Sequence, residues 1–114
     1  MNNEIKQRWV SALRSGEYEQ CRGLLRRNNQ FCCLGVLCDL YGKEKGIEWV
    51  SDGNDRFVFL GSNDVLPAEV VEWAGLPDHN PDIDYPDRYV TCIAGLNDHG
   101  ADFEEIADVI EVQL

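Results

Sequence analysis

Five cysteines, two histidines and three closely spaced arginines are the side chains of this sequence best suited to chemistry. A catalytic thiol needs a helix N-terminus to hold its thiolate and a histidine to take its proton. Cys32 or Cys33 ahead of a helix, with His79 or His99, supplies that inventory. Cys21, Cys32, Cys33 and Cys38 with a histidine also offer soft ligands for zinc. However, Cys-Cys-x4-Cys departs from the paired C-x2–4-C knuckles of structural zinc sites, and a helix from Leu34 would turn Cys38 off the face of Cys33. An odd number of cysteines cannot pair completely within one chain, and a disulfide between adjacent Cys32 and Cys33 distorts the backbone. The five thiols, Cys92 included, are therefore expected to be small, mostly buried hydrophobes. No cofactor or metal is implied.

Arg22, Arg26 and Arg27 fall within six residues. The guanidinium fork matches phosphate oxygens, so these three form a candidate site for a small anionic signalling nucleotide, the chain acting as its sponge. The competing reading pairs them with the protein's own acidic half or with a second copy, which leaves homo-oligomerisation open. Neighbouring acids such as Asp82 with Asp84, or Glu104 with Glu105, read as exposed charge rather than acid–base pairs. No glycine loop of the phosphate-cradling kind is present.

Those arginines stand out because the chain carries a net charge of −11, divided unevenly. Residues 1–45 hold eight basic and five acidic side chains, whereas residues 46–114 hold Arg56 and Arg88 against sixteen acids. A field of that sign repels nucleic acid and anionic lipid and attracts basic protein surfaces. The acidic partner-binding candidates are Asp78, Asp82, Asp84 and Asp87 in one segment and Glu104, Glu105, Asp108 and Glu111 in another. Length points to one compact domain over residues 1–114, with enough apolar residues for a folded core. There is no apolar run long enough to span a membrane and no signal-peptide pattern at Met1–Gly16, so a cytoplasmic location is expected.

The elements that must position these residues read as an α+β fold, with several short helices and one or two β-hairpins. Asn2 or Asn3 can cap a first helix with Ile5, Trp9, Ala12 and Leu13 on its apolar face, ending at Gly16; Trp9 is expected to anchor the core. Asn28-Asn29 favours a turn, giving strands Gly23–Arg26 and Gln30–Cys33, then a helix from about Leu34 to Tyr41 that Gly42 and Gly46 end. Gly35, in its first turn, leaves room for another element to approach. Asp52-Gly53-Asn54-Asp55 between IEWVS and RFVFLG is the clearest hairpin signal. A helix over Leu66–Trp73 follows, with Pro67 in its first turn and Ser62 or Asp64 as cap. The segment 77–88, with three prolines and four aspartates, reads as an irregular acidic loop. Two helices close the chain, over Tyr89–Asn97 and Asp102–Val112, the second opened by a capping box of Asp102 and Glu105.

That ending has the outline of a helix-turn-helix. DNA-reading versions need basic and amide side chains on the second helix, where this one offers Asp102, Glu104, Glu105, Asp108 and Glu111. Direct DNA binding is not expected, and the outline reads as a packing motif.

Four strings, WVSALRSGEYEQ (Trp9–Gln20), FCCLGVLCDL (Phe31–Leu40), LPAEVVEWAGL (Leu66–Leu76) and LNDHGADFEEIADVIE (Leu96–Glu111), resemble a set of small hypothetical proteins of bacteriophages and prophages. The resemblance implies a context, a small protein made in an infected bacterial cytoplasm, where many accessory proteins bind a host machine or a defence complex. It carries no catalytic residues. The leading expectation is a non-enzymatic inhibitor of such a complex, of anti-CRISPR or other anti-defence type, presenting its acids in the manner of nucleic-acid charge. The nucleotide sponge and the thiol enzyme or zinc protein are the alternatives.

Overall fold

A computed structural model describes all 114 residues. The first helix, α1 (Asn3–Arg14), begins where Asn2 takes extended backbone and its Oδ1 accepts a hydrogen bond from the Ile5 amide at 2.9 Å. Ile5, Trp9, Val10 and Leu13 form its buried side. Trp9 is fully enclosed, and its indole donates to the Cys33 carbonyl at 2.9 Å, so the anchor's one polar atom is satisfied.

Asn28, with φ of 50°, and Asn29 turn the chain between β2 (Arg26–Arg27) and β3 (Gln30–Phe31), which pair antiparallel. The expected hairpin is present, but its first strand begins later than Gly23 and its second ends at Phe31, since Cys32 already caps the next helix. Gly23 adopts φ of 85°, outside strand geometry, and the Leu25 amide leaves the sheet to bond Asn63 O at 2.7 Å. A further strand, β1 (Glu19–Gln20), pairs with β3 in parallel.

The second helix, α2 (Cys33–Lys45), runs past Tyr41 and through Gly42. A Cβ on Gly42 would lie 2.6 Å from Ile47 O and 3.1 Å from the Phe59 ring, so this glycine is a packing contact inside the helix rather than its stop. Gly46, at φ of 71°, provides the stop. Every residue from Cys33 to Cys38 is buried, as befits a helix surrounded by other elements. It packs on α1, on β3, and on the helices α3 (Ala68–Ala74) and α4 (Ile93–Asp98).

The second hairpin joins β4 (Val50–Ser51) to β5 (Phe57–Val58) in antiparallel register. Pro67 occupies the cap position of α3 instead of its first turn, and no side chain caps that helix, so neither Ser62 nor Asp64 has the role expected of it. Helix α4 starts at Ile93 rather than Tyr89, because the chain before it is held extended: Ile83 N donates to Thr91 O and Ile93 N to Pro81 O, both at 3.0 Å. Asp102 caps the last helix, α5 (Phe103–Gln113), by accepting from Glu105 N at 2.9 Å. The reciprocal half of the capping box is not made, since the Glu105 carboxylate accepts from the Tyr85 hydroxyl instead. α1 lies chiefly against α5, and 26 buried residues form one continuous core. Five helices and two small sheets thus make an α+β fold, and no helix is long and apolar enough to cross a membrane.

Candidate functional site

The structure brings the two acidic segments together. Ile83 is buried and pins the loop, while Asp84 N donates to the Gln113 side-chain oxygen and Gln113 Nε2 to Asp84 O, both at 2.7 Å. The Tyr85 hydroxyl donates to Glu105 Oε1 at 2.8 Å. The loop is therefore tied to α5 at Asp84 and Tyr85, and the carboxylates of Asp82, Asp84 and Asp87 around those ties are exposed, as is Glu105. Asp78 is exposed too, its Oδ1 accepting from His79 N at 2.7 Å, much as Asp87 Oδ1 accepts from Tyr89 N at 3.0 Å.

The other flank of α5 is different in kind. Glu104, Asp108 and Glu111 converge on Arg14 of α1, at 3.7, 2.6 and 2.9 Å. Hydrogen bonds donated to Asp108 and then to Glu111 raise the Arg14 pKa above its usual value, so this cation stays charged. Three acids sharing one arginine leave that flank negative, but part of its charge already serves to join α1 and α5.

The arginine trio does not converge. Adjacent strand residues point to opposite faces, and Arg26 and Arg27 follow that rule. The Arg26 guanidinium lies 4.1 Å from the Phe57 ring centroid, 5.0 Å from Phe31 and 5.6 Å from Trp49, where burial lowers its pKa. Arg22 and Arg27 face another cleft, which they line together with Arg56. Arg56 arrives there because its backbone bridges that of Arg27, while Asn28 N donates to Asp55 O at 2.7 Å. The sequence reading missed Arg56, far along the chain from the cluster, since only the pairing of the two hairpins reveals it.

Compared with known protein families, residues 1–114 match the domain of unknown function DUF8296. The chain belongs to that family. No curated protein and no solved structure matches it.

In this DUF8296 member all five cysteines are free thiols. Burial pushes the Cys32 thiol up to about 12, and raises Cys33 and Cys38 well above the ordinary value. Thiols so disposed are protonated at neutral pH, and the structure gives them a different task. Cys32 Sγ accepts from Gly35 N at 3.3 Å and Cys92 Sγ from Gly95 N at 3.4 Å, each capping a helix. His79 Nδ1 sits 2.7 Å from Leu66 O, held in the loop after α3. A second residue passed over in the sequence is Asn97, the only buried polar side chain of the DUF8296 core. Its Oδ1 accepts from Cys33 N and Gln20 Nε2, and its Nδ2 donates to Cys21 O, tying α4, α2 and the first sheet together.

Proposed function

We propose that this chain is a non-enzymatic accessory protein of a phage or prophage, working in the bacterial cytoplasm. It binds a basic surface of a host or defence protein complex, and inhibits it, through the acidic face formed by Asp82, Asp84, Asp87 and Glu105, with Glu104, Asp108 and Glu111 extending that face along α5. The observation that carries this reading is the fastening of the loop onto α5 by Tyr85–Glu105 and Asp84–Gln113. Loops lose conformational freedom when they bind, and a loop already held in place spares most of that loss. Its carboxylates are exposed and have no lysine or arginine within ion-pair distance, so their field is available to a partner. A basic surface that ordinarily holds nucleic acid is the complement such a face fits best. The resemblance to phage and prophage proteins supports the bacterial setting.

Affinity purification from phage-infected bacteria tests the reading, with the native chain beside an Asp82→Asn, Asp84→Asn, Asp87→Asn, Glu105→Gln variant. The expected result is a partner complex retained by the native chain, released as salt rises, lost with the variant, and blocked in its activity by the native chain alone. Retention that ignores both salt and neutralisation, or an equal phage phenotype for both proteins, overturns the acidic-face assignment.

A further inference from the structure

The cleft between the two hairpins has the chemistry of a ligand site. It encloses about 360 Å³ and is lined by Arg22, Arg27 and Arg56 with Leu24, Val58 and Asn63. It is built rather than accidental. Leu25 N donates to Asn63 O at 2.7 Å on one side, the Arg27 and Arg56 backbones bridge on the other, and Asp98 holds the turn after Arg22 by accepting from Gly23 N at 3.0 Å.

Three of the ten basic residues of a chain with net charge −11 line this one cleft. Arg27 has a partner, with Nε 3.3 Å from Asp55, but Arg22 and Arg56 have no carboxylate within ion-pair distance, although acids outnumber bases twofold. Three guanidiniums line the cleft alongside the carboxylates of Asp52 and Asp64, and an anion can recruit Arg22 and Arg56 without breaking an ion pair. The volume suits a small molecule.

We propose that this cleft binds a small phosphorylated ligand of the nucleotide class, with Arg22 and Arg56 donating to phosphate oxygens and Arg27, steadied by Asp55, completing the cradle. Asp52 and Asp64 also line the cleft, and their carboxylates can accept from ligand hydroxyl or amino groups. They also disfavour a long polyanion. Fields from the rest of the acidic surface are screened beyond about 8 Å at physiological salt, so a compact anion in the cleft meets Arg22, Arg27 and Arg56 together with Asp52 and Asp64 and little else. The site is independent of the acidic face described above.

Calorimetry on the full chain with inorganic pyrophosphate, nucleoside mono- and diphosphates and a cyclic dinucleotide tests the proposal. Saturable binding by at least one compound is expected, weakened roughly tenfold or more by Arg22→Gln with Arg56→Gln. Both side chains are exposed and unpaired, so circular dichroism and Tm should match those of the native chain. Pyrophosphate binding as tightly as any nucleotide identifies phosphate as the whole determinant; a nucleotide binding more tightly adds its sugar or base; both sustain the site. In the native chain, ligand should shift the backbone amide resonances of Gly23, Arg56 and Asn63, which localises binding without any variant. No heat from any compound at millimolar concentration, perturbed amides elsewhere, or undiminished binding by the double variant overturns it. The variant neutralised at Asp82, Asp84, Asp87 and Glu105 should bind ligand as the native chain does, so failure of one site is distinguishable from failure of the other.

Discussion

The carbonyl oxygen of Leu25 rests on the α-carbon of Gly35, so closely that a Cβ built on Gly35 would stand 1.9 Å from it. The same oxygen accepts from Cys32 N at 3.0 Å. Backbone meets backbone here, and the contact sets the hairpin β2–β3, and with it one wall of the arginine cleft, against the first turn of α2.

Gly35→Ala therefore separates two opposing effects. Helix propensity alone favours alanine by about 1 kcal/mol in a helix interior. The collision is with main chain, which cannot rotate away, and overpacking of that kind costs about 3 kcal/mol or more. Urea unfolding should show a net loss of at least about 2 kcal/mol, or a protein that does not fold. A stabilised Gly35→Ala variant contradicts the packing account.

Features governed by one or two neighbouring residues were legible in the sequence. Asn2 and Asp102 cap as their types dictate, Asn28-Asn29 turns the first hairpin, and Gly35 admits a close approach. Features that depend on a partner distant in sequence were not. Two-residue strands such as β1 have no periodicity to read, and Gly42 signals a stop until Ile47 and Phe59 are seen to pack on it. Glu105 completes a capping box on paper, but Tyr85 from the loop claims its carboxylate. For the same reason the arginine cluster was half right. Its members are near in sequence, yet strand alternation sends Arg26 to another face and hairpin pairing brings in Arg56.

Arg26 should accordingly separate from the anion cleft in experiment. It lies over Phe57, Phe31 and Trp49, and its Nε donates to the Asn28 carbonyl. Arg26→Ala loses that stacking and is expected to lower stability by about 1–2 kcal/mol. Ligand affinity at the Arg22/Arg56 cleft should remain within about twofold of the native value, less than the effect of losing a charged contact. Calorimetry on folded Arg26→Ala reads this, and a tenfold loss of affinity would return Arg26 to the site.

Asn97 is the polar hinge of the core. Truncation in Asn97→Ala leaves Cys33 N and Cys21 O without their side-chain partner in a buried setting, while the half-buried Gln20 amide keeps its bond to Ala101 O. The expected cost is about 3 kcal/mol. Asn97→Asp is nearly isosteric but replaces the donor facing Cys21 O with an acceptor beside Asp98, so at neutral pH it should be no more stable than Asn97→Ala. Denaturant midpoints for the pair decide this; a near-native Asn97→Asp would show that the amide donor is dispensable.

Alkaline pH tests the buried thiols as a group. In the unfolded chain each thiol titrates near its usual value of about 8.5. In the folded chain burial holds Cys32 up to about 12, and Cys33 and Cys38 well above the ordinary value. Between those limits the folded state binds more protons than the unfolded state. Stability is therefore fully present below about pH 8.5 and falls as pH rises, by about 1.4 kcal/mol per pH unit for each thiol once the unfolded form is ionised. Tyr18, raised by burial and its bond to Asp39, and Lys43, raised by its bond to Tyr18, act in the same direction at higher pH. These three thiols, with Cys21 also raised by burial, should remove several kcal/mol by about pH 10, enough to unfold a domain of ordinary stability. Denaturant titrations at successive pH values measure the slope, and Cys38→Ala should reduce it by one thiol's share whatever the cavity costs at neutral pH, because the slope counts protons and not contacts. Thiol labelling supplies the complement. Near neutral pH the half-buried Cys92 should react first, with Cys32, Cys33 and Cys38 modified only on unfolding. A stability that stays flat from pH 8 to 10, or rapid labelling of Cys33 in the native state, would mean that these thiols are not enclosed as the fold has them.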